Sequence, residues 1–168
     1  EVRRTAAGHL ASLMGGECAP ALAELLKDKN EGVRLEALRI LARLEERSEM
    51  PAIVALLKDP RGNVRAEAVE TLAKLGEASA VPLIAKCLED KSDYVRKQAS
   101  EALIKLDDRS VIPGLIDLLD HRQSDVCFNA AKVLIHFKEK SSASTLLRHL
   151  KNKSPYVRAE AIRILGRF

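Results

Sequence analysis

The sequence predicts an all-α protein, an α-solenoid of antiparallel helix pairs, from three observations. The first is a period. Val followed by Arg recurs at Val2-Arg3, Val33-Arg34, Val64-Arg65, Val95-Arg96 and Val157-Arg158, with Val126-Cys127 keeping the place between, and each step is 31 residues. Pro20, Pro51, Pro82 and Pro113 keep the same step, with Ser144 in the next slot. Self-similarity this regular, without insertion, is the mark of a repeat array. The second is composition: 46% of the residues are hydrophobic, only 3% are aromatic, and there is no Trp. Core volume must then come from Leu, Ile, Val and Ala, which suits helices packed on helices. The third is a stripe. Val64, Ala68, Leu72 and Leu75 follow i, i+4, i+8, i+11, the spacing of one buried helix face.

Taken in order, residues 1–18 form a half repeat, the second helix of a pair. Full repeats are expected at 19–49, 50–80, 81–111, 112–142 and 143–168, together making one solenoid over 1–168 whose core is a line of local cores. In each repeat the first helix opens at the Pro, which lacks an N–H that would be unpaired there anyway. It carries apolar residues such as Ile53, Val54, Leu56 and Leu57. A short turn follows, and Asn30, Ser92 and Ser154, each three residues before the Val, are placed to cap the second helix. Ala6, Ala37, Ala68, Ala99, Ala130 and Ala161 make an invariant column in the second helices, a small side chain that lets neighbouring helices approach closely. Leu10, Leu41, Leu72, Leu103, Leu134 and Leu165 make another. Connections such as 45–49 and 107–110 are short and polar, so neighbouring helices run antiparallel. Cys87 stands in a slot held elsewhere by Leu25, Leu56 and Leu118 and reads as core, whereas Cys18 lies in a connection and is expected to be exposed. Residue 1 falls at the start of a second helix and Phe168 at a core slot, so the stretch is expected to belong to a longer array.

The formal net charge of +4 is unevenly spread. Residues 143–168 hold six Lys or Arg against Glu160 alone, so the last repeat carries the basic character. No apolar run approaches the roughly 20 residues of a membrane span, and no signal-peptide pattern opens the chain. Three scattered cysteines do not make a disulfide framework, and a reducing cytoplasmic setting is the expectation.

With Pro20/Asp28/Val33-Arg34, Pro51/Asp59/Val64-Arg65 and Pro82/Asp90/Val95-Arg96 in one register, the chain resembles the HEAT repeats, of the short bacterial and archaeal type also found in phycobilisome-lyase-like proteins. The resemblance covers nearly the whole chain. It implies a right-handed superhelix whose second helices line a concave, macromolecule-binding surface, and it implies no particular chemistry. It also implies a structural ladder between adjacent repeats, formed by the Asp and the Arg six residues later: Asp28/Arg34, Asp59/Arg65 and Asp90/Arg96. Arg suits this role because its planar fork can hold carboxylate and carbonyl groups together. Repeat 112–142 has His121 in the Asp slot and Cys127 in the Arg slot, both rung residues changing together as partners should, since losing one alone would strand a charge.

Counting from each Val, positions +3, +6 and +10 of the second helices form the candidate partner-binding face. The +3 row gives Glu67, Gln98 and Asn129; the +6 row gives Arg39, Glu70, Glu101, Lys132 and Arg163; the +10 row gives Arg43, Lys74, Lys105, His136 and Arg167. Phe128 adds the lone aromatic. Acids near helix N-termini and bases near C-termini also complement the helix dipole, and Glu70–Lys74 and Glu101–Lys105 are favourable i,i+4 pairs, so the pattern serves stability as well as binding. The expected function is a non-catalytic protein-interaction scaffold for a protein or peptide partner. A nucleic-acid-binding module centred on the basic last repeat is the alternative, although Phe128 alone could stack a base; an accessory subunit of a lyase-like enzyme is a third reading. No catalytic residue, cofactor or metal is expected. None of the four His is followed by Glu, and no Gly-rich phosphate loop is present. His136 lies nine residues beyond Cys127, about 13.5 Å along one helix, too far to share a metal.

Overall fold

A computed structural model describes residues 18–137, 142–151 and 155–166. Every regular element among them is helical. In chain order they are α1 (Ala19–Leu25), α2 (Glu31–Arg43), α3 (Met50–Ala55), α4 (Gly62–Leu75), α5 (Val81–Lys86), α6 (Asp93–Leu106), α7 (Ile112–Leu118), α8 (Ser124–His136), α9 (Ser142–His149) and α10 (Pro155–Leu165). Short helices alternate with long ones. The short α3 and α5 run on into 3-10 turns at Leu56–Lys58 and Cys87–Glu89, a tightening of the last turn that the apolar pattern does not announce.

The chain divides into two compact units, Glu1–Leu83 and Ile84–Phe168, the division falling within α5. In the first unit α1 packs on α2, α2 on α4, and α3 on α4. In the second, α6 packs on α8, α7 on α8, α8 on α10, and α9 on α10. The columns read from the sequence supply these contacts. Ala37, Ala68, Ala99 and Ala130 are 0% exposed and Ala161 2%, so a larger side chain there would meet a neighbouring helix. Leu41, Leu72, Leu103 and Leu134 are equally buried. Cys87 is buried as expected, and so is Cys18, against expectation, because it sits at the N-terminal edge of α1 rather than in an open connection.

Three of the turns between paired helices are closed in the same way. The Asp28 Oδ1 accepts from the Asn30 N–H, Asp59 Oδ1 from Arg61 and Asp90 Oδ1 from Ser92, all at 2.8 Å. These side chains replace a backbone turn bond. Asn30 also caps α2, accepting from Gly32 and Val33. Ser92 makes no side-chain cap bond, so Asp90 does that region's work, and Ser154 lies outside the described residues. At the other end of the long helices Glu45, Gly76 and Asp107 take left-handed backbone (φ 53°, 69° and 50°), three equivalent positions 31 residues apart.

The ladder exists, but its pairing is displaced by one repeat. Arg34 Nη1 donates to the carbonyl of its own Asp28 at 2.7 Å. Its carboxylate partner is Asp59 of the next repeat: Nη2 donates to Oδ1 at 3.0 Å and Nε lies 2.8 Å from Oδ2, both side chains buried. Arg65 and Arg96 likewise hold the carbonyls of Asp59 and Asp90, at 2.7 and 2.8 Å. Within one repeat the Arg therefore holds the turn's backbone. The carboxylate of that turn is free to close the Asx turn and to meet the preceding repeat.

Candidate partner-binding face

The second helices expose their polar positions, and the structure groups these residues into pairs. In the first unit Arg39 on α2 is exposed, and its Nε and Nη2 lie 3.2 and 3.1 Å from Oε2 of Glu67 on α4. Glu67 is largely covered, at 15% side-chain exposure, so this acid supports the surface more than it offers charge to a visitor. Lys74 and Glu70 make the i,i+4 pair expected of them, at 2.8 Å. Arg43 is exposed and carries no ion pair among the described residues.

In the second unit the pairing again runs between repeats. Glu101 on α6 meets Lys132 on α8 at 3.5 Å, rather than its own i+4 neighbour Lys105, which stays exposed. His136 Nε2 lies 3.1 Å from Asp107 Oδ1. Gln98 is half-buried. Asn129 does not belong to the exposed face: it is buried, because its Nδ2 folds back to donate to the Asp125 carbonyl at 2.8 Å, one helical turn earlier. Phe128 is half-buried and its ring is covered by the Arg163 guanidinium, 4.4 Å from the centroid. The one aromatic offered for base stacking thus already holds a cation. Arg167 lies outside the described residues.

The connections supply partners that residue counting along the helices did not pick out. Asp107 sits at the left-handed helix end, which turns its carboxylate toward α8. Asp120, after α7, receives Arg148 Nη2 at 2.7 Å and lies 3.4 Å from His149 Nε2. Arg109 donates to the Phe137 carbonyl at 2.9 Å at the end of α8. The only signal for these was their fixed place in the 31-residue step, which gives position without naming a partner.

His121 and Cys127 are not partners of one another. His121 falls in the slot that, in the first unit, holds the carboxylate facing the Arg of the preceding repeat. The His121 ring Nδ1 accepts from the Gln123 N–H at 3.1 Å, taking over the turn-closing role of the Asp oxygen. Cys127 is buried. Among the described residues no group of three or more His, Cys, Asp or Glu is placed to hold a metal ion, and no helix is long and apolar enough to cross a membrane.

A family model for HEAT repeats matches residues 1–59, 50–127 and 112–168, which together take in the whole chain. The chain belongs to the HEAT-repeat family. No curated protein matches it. Among solved structures, this HEAT-repeat chain is similar to the CpcE–CpcF complex of phycocyanin lyase from Nostoc sp. PCC7120, at 23% identity and a TM-score of 0.63, over 89% of this chain and 64% of that one. It is similar to the E. coli protein YibA at 26% identity and a TM-score of 0.63, over 95% of this chain and 63% of that one. It is also similar to a designed armadillo repeat protein in complex with the peptide (KR)4, at 22% identity and a TM-score of 0.53, over 98% of this chain and 92% of that one. The chain therefore spans less than two thirds of the phycocyanin lyase and YibA chains. The shared property is the helical-repeat fold.

Proposed function

We propose that this HEAT-repeat chain is a non-catalytic scaffold that holds a protein or peptide partner along the exposed faces of its second helices. The observation that carries the reading is the set of opposed charges on the second helices: Arg39 with Glu67 and Glu101 with Lys132 between neighbouring helices, and Glu70 with Lys74 along one helix. Exposed pairs of this kind contribute only about 0–1 kcal/mol to stability. They are therefore inexpensive to exchange for a partner's charges, and their alternation favours a partner of matching alternation over a uniformly charged one. Arg43 and Lys105, exposed and without an ion pair among the described residues, add unsatisfied cations and so a preference for acidic groups.

The test is capture with chemical crosslinking, comparing the wild type with two charge reversals. Arg39→Glu with Arg43→Glu alters the second-helix face, and Lys58→Glu with Lys86→Glu alters the first helices. Selective loss of captured partner with the first pair is expected. Equal loss with both pairs, or no loss with either, overturns the reading.

A nucleic-acid-binding role for the basic last repeat is the second reading, supported by the charge of residues 143–168. Part of that charge is already engaged: Arg148 with Asp120 and Arg163 with Phe128. Fluorescence anisotropy with labelled single- and double-stranded DNA and RNA at several salt concentrations separates the two readings. Micromolar binding that weakens steeply with salt, and is lost in Arg163→Glu with Arg167→Glu, would favour nucleic acid. A lyase-like accessory role would show itself as a bound chromophore in the purified protein.

A further inference from the structure

The rungs of the ladder are not equal. In the first unit Arg34 is held by two contacts to Asp59, at 3.0 and 2.8 Å, with both side chains buried. In the second unit the equivalent slot holds His121, whose Nδ1 serves its own turn. Arg96 turns instead to Asp125, in the first turn of α8, through a single 3.3 Å contact. Asp125 is 57% exposed. The buried Nε of Arg34 and that of Arg96 both lack a hydrogen bond, but the Arg34 Nε lies 2.8 Å from Asp59 Oδ2 in an ion pair. One repeat further on, Cys127 stands in the Arg slot and provides no guanidinium at all.

Both seams also carry exposed ties. Between α2 and α4 these are Arg39–Glu67, Glu31 with Arg61 at 3.8 Å and with the Asn63 amide at 3.2 Å, and, in the connections, Arg47–Glu77 at 3.1 Å. Between α6 and α8 they are Glu101–Lys132 and His136–Asp107, with Arg109 on the Phe137 carbonyl. The buried rung is the weaker one in the second unit. A buried Arg held by one contact to an exposed carboxylate recovers less of its desolvation cost than one held by two contacts to a buried carboxylate. In a repeat array, where stability is a sum of local units and nearest-neighbour interfaces, one weak interface sets where the array opens.

We propose that the α6–α8 seam opens locally far more readily than the α2–α4 seam. This goes beyond the scaffold reading and does not depend on it, since the opening occurs in the chain without a partner. If the scaffold reading also holds, this half of the second-helix face adjusts to its partner while the first unit's face is preformed.

Native-state hydrogen exchange followed by mass spectrometry tests the proposal on the whole chain. Peptides from α8 are expected to exchange at least about tenfold faster than peptides from α4, the size of one charge-assisted hydrogen bond. His121→Asp supplies both the turn-closing oxygen and the missing carboxylate, and is expected to slow exchange in α8 by about tenfold or more. His121→Asn supplies the turn-closing oxygen without the charge and is expected to leave exchange near the wild-type rate. In the first unit Asp59→Asn, the reverse experiment, should speed exchange in α4. Protection of α8 equal to that of α4 overturns the proposal, as does equal slowing by His121→Asp and His121→Asn.

Discussion

Arg34 and Asp59 show what one residue pair contributes to this fold. Arg34→Met leaves the Asp59 carboxylate buried without its cation, so a loss of about 3–5 kcal/mol in denaturant unfolding is expected. Arg96→Met should cost clearly less, because Arg96 has a weaker partner in an exposed Asp125. Thr71 is a second case. It is 1% exposed and its hydroxyl has no hydrogen-bond partner; the equivalent positions are Ile40, Ala102 and Val133. Thr71→Val keeps the shape and removes the orphan hydroxyl, so the midpoint of urea unfolding should rise by the equivalent of about 1 kcal/mol. Two exposed carboxylates carry a pH effect. Asp108 is held below the usual aspartate range by the Ser110 N–H and then its hydroxyl, and Glu46 below the usual glutamate range by the same two groups of Ser48. With folded values lowered, each contributes stability that is fully present above the unfolded carboxyl values and is lost as pH falls through the folded ones. Carboxyl NMR titration should find both midpoints depressed.

At the scale of the element, the long helices are fixed at both ends by local chemistry. Asn30 supplies the cap of α2, and its replacement by Ala should cost about 1 kcal/mol. The left-handed ends are more telling, since the same conformation falls on Glu45, Gly76 and Asp107. A Cβ built on Gly76 would meet nothing within 4 Å. Gly76→Ala therefore isolates the backbone cost, and about 1–2 kcal/mol of destabilisation is expected without any packing change. Glu45→Gly should move the thermal midpoint the other way, by less, because glycine also loses more freedom on folding. A rise in midpoint with Gly76→Ala would contradict the αL assignment of this helix end.

At the scale of the whole molecule, exposed pairs such as Arg39–Glu67, Lys74–Glu70 and Arg148–Asp120 are screened by salt, whereas a buried rung is not. Raising salt from about 0.1 M to about 1 M, where the screening length shrinks from about 10 to about 3 Å, should shift the melting midpoint less than Arg34→Met does. Partner binding through the same exposed charges should weaken over that range. Stability resides in the apolar columns and the buried Arg.

The helical-repeat fold, its 31-residue step and the buried columns of Val, Ala and Leu were determined by the sequence alone, because helical periodicity and side-chain volume act locally and repeat. The family assignment follows from the same signal. Only the tertiary structure decided which charges meet. The resemblance to HEAT repeats implied a pairing of Asp28 with Arg34, but the carboxylate that reaches Arg34 comes from Asp59, 25 residues on. Asn129 looked exposed by its place on the helix wheel, yet its amide found a carbonyl one turn back and was buried. Cys18 looked exposed in a connection and is covered. In each case the deciding contact depends on how two helices are docked. A linear pattern specifies which face is buried, but it does not specify the neighbour on the other side.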